Sequence, residues 1–185
     1  MDGTEFIADR RIYERVILEA VPNAQRYVWI ATSDLKDLHV EKRGRMVPFL
    51  ETLSELIERN VPVRLIHAKE PGPAFRRDFD RYPNLVEGLE RVLCPRVHLK
   101  SVVVDGTFAY TGSANLTGAG MGAKSARRRN FEAGIVTTDP ALISEIGGQF
   151  DRIWMGAYCV DCERKEYCTE YIDMAGRGGG CRQSQ

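Results

Sequence analysis

Strand-like and helix-like segments alternate along the 185-residue chain, which predicts an α/β layer fold. Three observations carry that expectation. Residues 9 to 21 place Ile12, Val16 and Ala20 at helical spacing, with Tyr13 and Ile17 alongside, and stop at Pro22. Short β-branched or apolar runs follow at 27–31 and 61–68 and twice more around Asp105-Gly106. Asp139-Pro140 then forms a cap and first-turn pair ahead of Leu142, Ile143, Ile146, Phe150, Ile153 and Trp154, one side of a long helix.

Between these lie a helix from Pro48 to Asn60, carrying Phe49, Leu50, Leu53, Leu56 and Ile57, and a broken connector over 69–84 with Pro71, Gly72, Pro73 and Pro83. A short helix is expected over 85–92 and a strand over 131–137. The apolar share of 43% is that of a globular protein, and 185 residues suffice for one buried core. Twenty-six basic side chains balance twenty-six acidic ones, so no global field selects nucleic acid, membrane or an acidic substrate. The first residues lack a basic and apolar leader, and no run of about eighteen apolar residues occurs. A cytoplasmic protein without stable membrane insertion is expected.

The densest chemistry lies between His98 and Asn115. Val97 to Val104 is β-branched and ends in Asp105-Gly106, a two-residue hairpin signal, after which Thr107 to Thr111 returns. If Val104 faces Thr107, His98 stands opposite Ser113 and Lys100 opposite Thr111. Side chains alternate along a strand, so His98 and Lys100 then share a face roughly 7 Å apart, while Asp105 lies about 16 Å from Lys100. Asp105 therefore reads as a turn residue.

The pattern His98-x-Lys100-x4-Asp105-x6-Gly112-Ser113-x-Asn115 resembles the motif of the phospholipase D superfamily, and the likeness extends over roughly residues 9 to 155. It implies a phospholipase D-like mixed sheet flanked by helices over 1–155, followed by a separate tail over 156–185. Asn130-Phe131-Glu132 is similar to the segment in which that family carries an acidic partner for the histidine. The family chemistry so implied is a phosphodiester cleavage with no metal at the reacting phosphate. One histidine attacks phosphorus to form a phosphohistidine, and a second protonates the leaving oxygen. The residue types fit independently. Imidazole serves as nucleophile or general acid near neutral pH. Lys100, Ser113 and Asn115 can stabilise charge on phosphoryl oxygens, and Glu132 can fix the tautomer of an imidazole.

The reaction needs two histidines, yet the full motif occurs once. His67-Ala-Lys69 imitates its opening, but Ala74 stands where the aspartate belongs, and His67 reads as a strand-end histidine; His39 falls in a charged loop. A second chain supplies the remaining route, since a two-fold axis brings two copies of His98 to one phosphate. The resemblance agrees: its single-motif members are nucleases with one site per homodimer, which makes nucleic acid the expected substrate. Two alternatives are a phospholipid hydrolase or phosphatidyltransferase, and a nucleic-acid-binding regulatory module without catalysis.

After the motif comes a glycine-rich loop ending in Lys124, Arg127, Arg128 and Arg129, which can hold the flanking phosphates of a nucleic acid or anionic lipid headgroups. It is not a nucleotide-binding P-loop, because Ala123 rather than glycine precedes the lysine. In the tail, Cys159, Cys162, Cys168 and Cys181 form a thiolate cluster suited to structural zinc. The spacing of the first three also resembles the iron–sulfur staple of certain DNA-processing exonucleases, in which case Cys94 competes with Cys181 as fourth ligand. Neither centre is expected to touch the phosphate.

Overall fold

A computed structural model describes residues 3–36 and 38–168. Nine strands and five α-helices follow in order: β1 Thr4–Ala8, α1 Arg10–Ile12, β2 Val28–Thr32, β3 His39–Lys42, β4 Arg45–Pro48, α2 Phe49–Glu58, β5 Val63–His67, α3 Pro73–Phe79, α4 Asn84–Gly88, β6 Leu89–Leu93, β7 Ser101–Val104, β8 Phe108–Gly112, β9 Ala133–Thr137 and α5 Pro140–Trp154. Seven strands form one mixed sheet in the order β1-β9-β8-β7-β2-β5-β6. The β2–β5 and β5–β6 pairs are parallel and the others antiparallel. The expected α/β class and flanked mixed sheet are what the chain adopts.

Period-two alternation builds two apolar layers on the sheet. Val28, Ile30, Val102 and Val104 point to the face covered by the N-terminal helical segment and α2, with Ile12, Val16, Leu53 and Leu56 in the same core. Ala31 and Ile66 point the other way onto Phe150 and Trp154 of α5, and Val103 and Ala109 meet Ile143 there. Asp139 caps α5, accepting from Ala141 N at 2.7 Å and Leu142 N at 3.3 Å.

Several expectations change. The N-terminal helix has one α turn, then widens into a π-helix over Tyr13–Ala20, where Val21 N reaches back to Val16 O, and closes as a 3-10 turn at Val21–Asn23 beside Pro22. The connector after β5 contains α3, opened by Pro73. The helix expected over 85–92 ends at Gly88, because Leu89–Leu93 pairs with β5 as the outer strand; a Cβ at Gly88 would lie 2.4 Å from the Ile57 side chain. His39 sits on the β3–β4 hairpin rather than in a loop.

The central hairpin differs by one residue. Asp105 (φ 57°) and Gly106 (φ 70°) form the expected left-handed turn, closed by Thr107 N to Val104 O at 3.1 Å. Thr107 is then an extra residue, so Val104 pairs with Phe108 and Ser101 with Thr111. The turn is also held by tertiary contacts. Both oxygens of Asp105 accept from Gln25 N, and its Oδ1 also accepts from Arg26 N at 2.7 Å and Tyr27 N at 3.0 Å, which pins the turn to the start of β2.

Among the described residues no helix is long and apolar enough to cross a membrane.

Candidate active site

His98 and Lys100 lie in the extended segment leading into β7, and Ser113 and Asn115 in the segment leaving β8, so the hairpin brings them to one end of the sheet. The one-residue shift corrects their relation. Lys100 O accepts from Gly112 N at 3.2 Å, and Ser113 does not face His98. Instead Ser113 N donates to Ala133 O at 2.9 Å, its hydroxyl donates to Glu132, and it accepts from Ala133 N at 3.1 Å. Gly112 permits this approach, since a Cβ there would meet Ala133 O at 2.5 Å.

The Lys100 ammonium lies 2.9 Å from Nδ1 and 3.4 Å from Nε2 of His98 and donates to His98 O at 2.6 Å. His98 is exposed, whereas Lys100 is 8% exposed. Burial pushes the Lys100 ammonium down from its ordinary value, and the nearby Glu132 carboxylate acts the other way.

Glu132 precedes β9 rather than lying within it, and it does not hold an imidazole of its own chain. Its oxygens accept from Asn130 Nδ2 at 3.1 Å and from the Ser113 hydroxyl. Its backbone is fixed by Asp9, whose carboxylate accepts from Glu132 N at 3.1 Å and whose N–H donates to Glu132 O at 2.8 Å. Behind the cluster, burial pushes the Tyr110 phenol up to about 12, with the backbone N–H of Ala114 opposing and Glu132 adding to the shift.

Asn115 turns its carbonyl oxygen inward, accepting from Ser33 Oγ at 2.8 Å, Asp34 N at 3.1 Å, Ser33 N at 3.2 Å and Thr32 Oγ1 at 3.3 Å. Its amide nitrogen is a donor. This contact brings in Asp34, whose carboxylate meets Lys36 at 2.7 Å and Lys69 at 3.4 Å. Burial acts to raise that carboxyl, but the two lysines outweigh it and hold it below its ordinary value. Asp9, Thr32, Ser33 and Asp34 carry no motif signal, because only the folded sheet places them beside Asn115 and Glu132. His67 is 2% exposed with Nδ1 at 2.9 Å from Lys69 O, a strand-end position.

The loop between Asn115 and Glu132 is anchored at the site by both ends, with Asn130 N donating to Ala119 O at 3.1 Å. Lys124, Arg127 and Arg128 are exposed and Arg129 half-buried, and none of the four forms an ion pair among the described residues. Phe131, 94% exposed, stands between them and Glu132.

Cys94, Cys159, Cys162 and Cys168 line one pocket of about 430 Å³, and His98 stands on its wall. None of the four is in a disulfide. The backbone N–H of Arg164 holds the Cys162 thiol below its ordinary value. Cys181 lies outside the described residues. Among the described residues, no group of three or more His, Cys, Asp or Glu side chains is placed so that it could hold a metal ion.

No protein of curated function matches the chain. Among solved structures it is similar to NucT from Helicobacter pylori at 14% identity and TM-score 0.62, covering 84% of this chain and 97% of that one. Nuc from Salmonella typhimurium, a phospholipase D family member, matches at 16% identity and TM-score 0.60, with 84% and 95% covered. Phosphatidylserine synthase from Haemophilus influenzae matches at 16% identity and TM-score 0.56, with 83% of this chain but 38% of that one covered. These likenesses show the fold. Residues 17–154 match the family described as cardiolipin synthase, PLD-like domain. On that match, the shared fold and the His98 to Asn115 motif at the sheet end, the chain belongs to the phospholipase D superfamily of phosphodiesterases.

Proposed function

We propose that the protein is an endonuclease that cleaves phosphodiester bonds in nucleic acid through a phosphohistidine, in a site completed by a second copy of the chain. The observation that carries this reading is the gathering of His98, Lys100, Ser113 and Asn115 at one sheet end in a chain holding a single copy of the motif. The imidazole is exposed and the ammonium beside it buried, the order required if the ring attacks while the cation is held for the phosphoryl oxygens.

In the resting protein Lys100 donates to His98 O and contacts the ring. An entering phosphate competes for that ammonium, drawing it onto a non-bridging oxygen, and the Asn115 amide donates to another. A ring nitrogen of His98 then bonds to phosphorus as the bond to the leaving oxygen breaks. The partner subunit's His98 gives that oxygen a proton, and in the second half it takes one from the water that displaces the phosphohistidine. Glu132 serves by holding Ser113 in place.

Nucleic acid is favoured over phospholipid by the likeness to NucT and Nuc, which runs over 97% and 95% of those chains. Lys124, Arg127 and Arg128 offer exposed cations to flanking phosphates beside the site.

The test is cleavage of single- and double-stranded DNA and RNA, and of anionic phospholipid vesicles, in excess EDTA. Nucleic-acid cleavage that is lost in His98→Ala, with an acid-labile phosphoryl adduct trapped on wild type alone, is the expected result. Hydrolysis confined to phospholipid, or cleavage by His98→Ala at the wild-type rate, refutes the proposal.

A further inference from the structure

Beyond α5 the chain turns at Gly156 (φ 75°) and packs back against the segment that carries His98. Backbone contacts set three thiols there. Cys159 N donates to Gly156 O at 2.9 Å, Cys162 N to Cys159 O at 3.2 Å and Cys168 N to Lys165 O at 3.0 Å. The Cys168 thiol reaches Leu93 O at 3.7 Å, and Arg96 Nη1 reaches Tyr158 O at 3.5 Å. On the opposite wall, Cys94 N donates to His67 O at 2.9 Å, so Cys94 is fixed at the end of β6, four residues before His98.

Four of the five cysteines in the chain thus line one pocket of about 430 Å³, with Val97, Leu99 and Ile153 between them. Cysteine used as a small core residue is fully buried. These four are only half-buried; Cys159, Cys162 and Cys168 sit in consecutive turns outside the core clusters, and Cys94 lies at the edge of the Ala31, Ile66, Phe150 and Trp154 cluster. Clustered sulfur donors select zinc or iron–sulfur centres over hard cations, and an apolar wall suits a metal centre whose charge is neutralised by its own thiolates.

We propose that Cys94, Cys159, Cys162 and Cys168 bind a thiophilic metal centre, zinc or iron–sulfur, that staples residues 156–168 to the segment bearing His98. The thiols ring the pocket without forming a single-ion shell, so binding draws them inward and fixes residues 156–168 in the same step. Cys94 completes the set in place of Cys181. The centre lies behind His98 and has no part in the attack on phosphorus, so this inference stands whether or not the endonuclease reading does.

The test is metal and acid-labile sulfide analysis of the full chain purified anaerobically, with a visible spectrum. About one centre per chain is expected, coloured if iron–sulfur and colourless if zinc. Cys94→Ser and Cys162→Ser each lose it at least several-fold, while Cys181→Ser and His98→Ala keep it. Zinc and iron both at trace level, full occupancy in Cys94→Ser, or loss in Cys181→Ser or His98→Ala overturns the assignment. Alkylation of the wild-type chain gives a second reading free of folding defects. Cys94 should react slowly until a chelator is added and at least several-fold faster after it. A Cys94 rate that the chelator leaves unchanged overturns the proposal.

Discussion

Replacing Asp105 with alanine removes the acceptor of three backbone N–H groups, those of Gln25, Arg26 and Tyr27, and places alanine at φ 57°. Each charge-assisted bond near the surface contributes about 1 kcal/mol net, and the left-handed backbone costs alanine about 1 kcal/mol more than aspartate, so the loss is about 3 to 4 kcal/mol. Asp105→Asn keeps an oxygen in place and tolerates the turn, and should lose about 1 kcal/mol. Burial acts to raise the Asp105 carboxyl, but the three N–H groups and the Arg26 guanidinium outweigh it and hold it below its ordinary value. The ionised form is therefore the one the fold favours. Its contribution is complete above about pH 4 and disappears as pH falls through the lower folded value, so the wild-type and Asp105→Ala curves converge in acid. Urea unfolding across that range measures the difference, and phosphodiesterase assays well below the unfolding midpoint should find Asp105→Asn close to wild type. A stable but inactive Asp105→Asn, or an Asp105→Ala chain within about 1 kcal/mol of wild type, refutes the placement of this motif residue in the scaffold.

Lys100→Met should stabilise the fold by up to about 1 kcal/mol in urea while lowering phosphodiesterase turnover by a factor of about 100 to 1000, the trade expected of a desolvated cation kept for a substrate. Because the charged Lys100 is disfavoured by burial, its penalty holds below the folded pKa and lifts as pH rises through it, so the alkaline limb of the rate profile should fall before the ordinary lysine range. Asn115→Ala leaves the backbone N–H groups of Ser33 and Asp34 and the Ser33 hydroxyl without their acceptor, while the Thr32 hydroxyl keeps Asp34 O at 2.8 Å, and should cost about 2 to 3 kcal/mol, read by denaturation, along with turnover. Changing Lys124, Arg127 and Arg128 together to glutamine should lower the slope of log affinity against log salt for DNA by about two to three, with little change in unfolding midpoint.

Local rules carried much of this molecule. The alternation of Val102, Val103 and Val104, and the cap at Asp139, need no partner to be read, and both matched the fold. Asp105 was legible as a turn residue for the same reason. The failures were tertiary. Leu89 to Leu93 fits a helix or a strand equally well until β5 offers it a neighbour, and β1 exists only because β9 pairs with it. The extra residue at Thr107 is not marked by the Asp105-Gly106 turn signal, and it moved Ser113 from His98 to Glu132. The motif marked the candidate site, whereas the supports of Asn115 and Glu132, drawn from Thr32, Ser33, Asp34 and Asp9, lie far away in sequence.

In the proposed endonuclease, one motif per chain makes half a site. Wild-type chains are mixed with about three equivalents of His98→Ala, exchanged until differently tagged chains co-purify, and assayed for DNA cleavage in EDTA. A site shared across the two-fold axis leaves only wild-type pairs active, so turnover per wild-type chain should fall to about one quarter. Turnover per wild-type chain that stays constant on mixing would show that each chain carries a complete site, and would rule out the shared one.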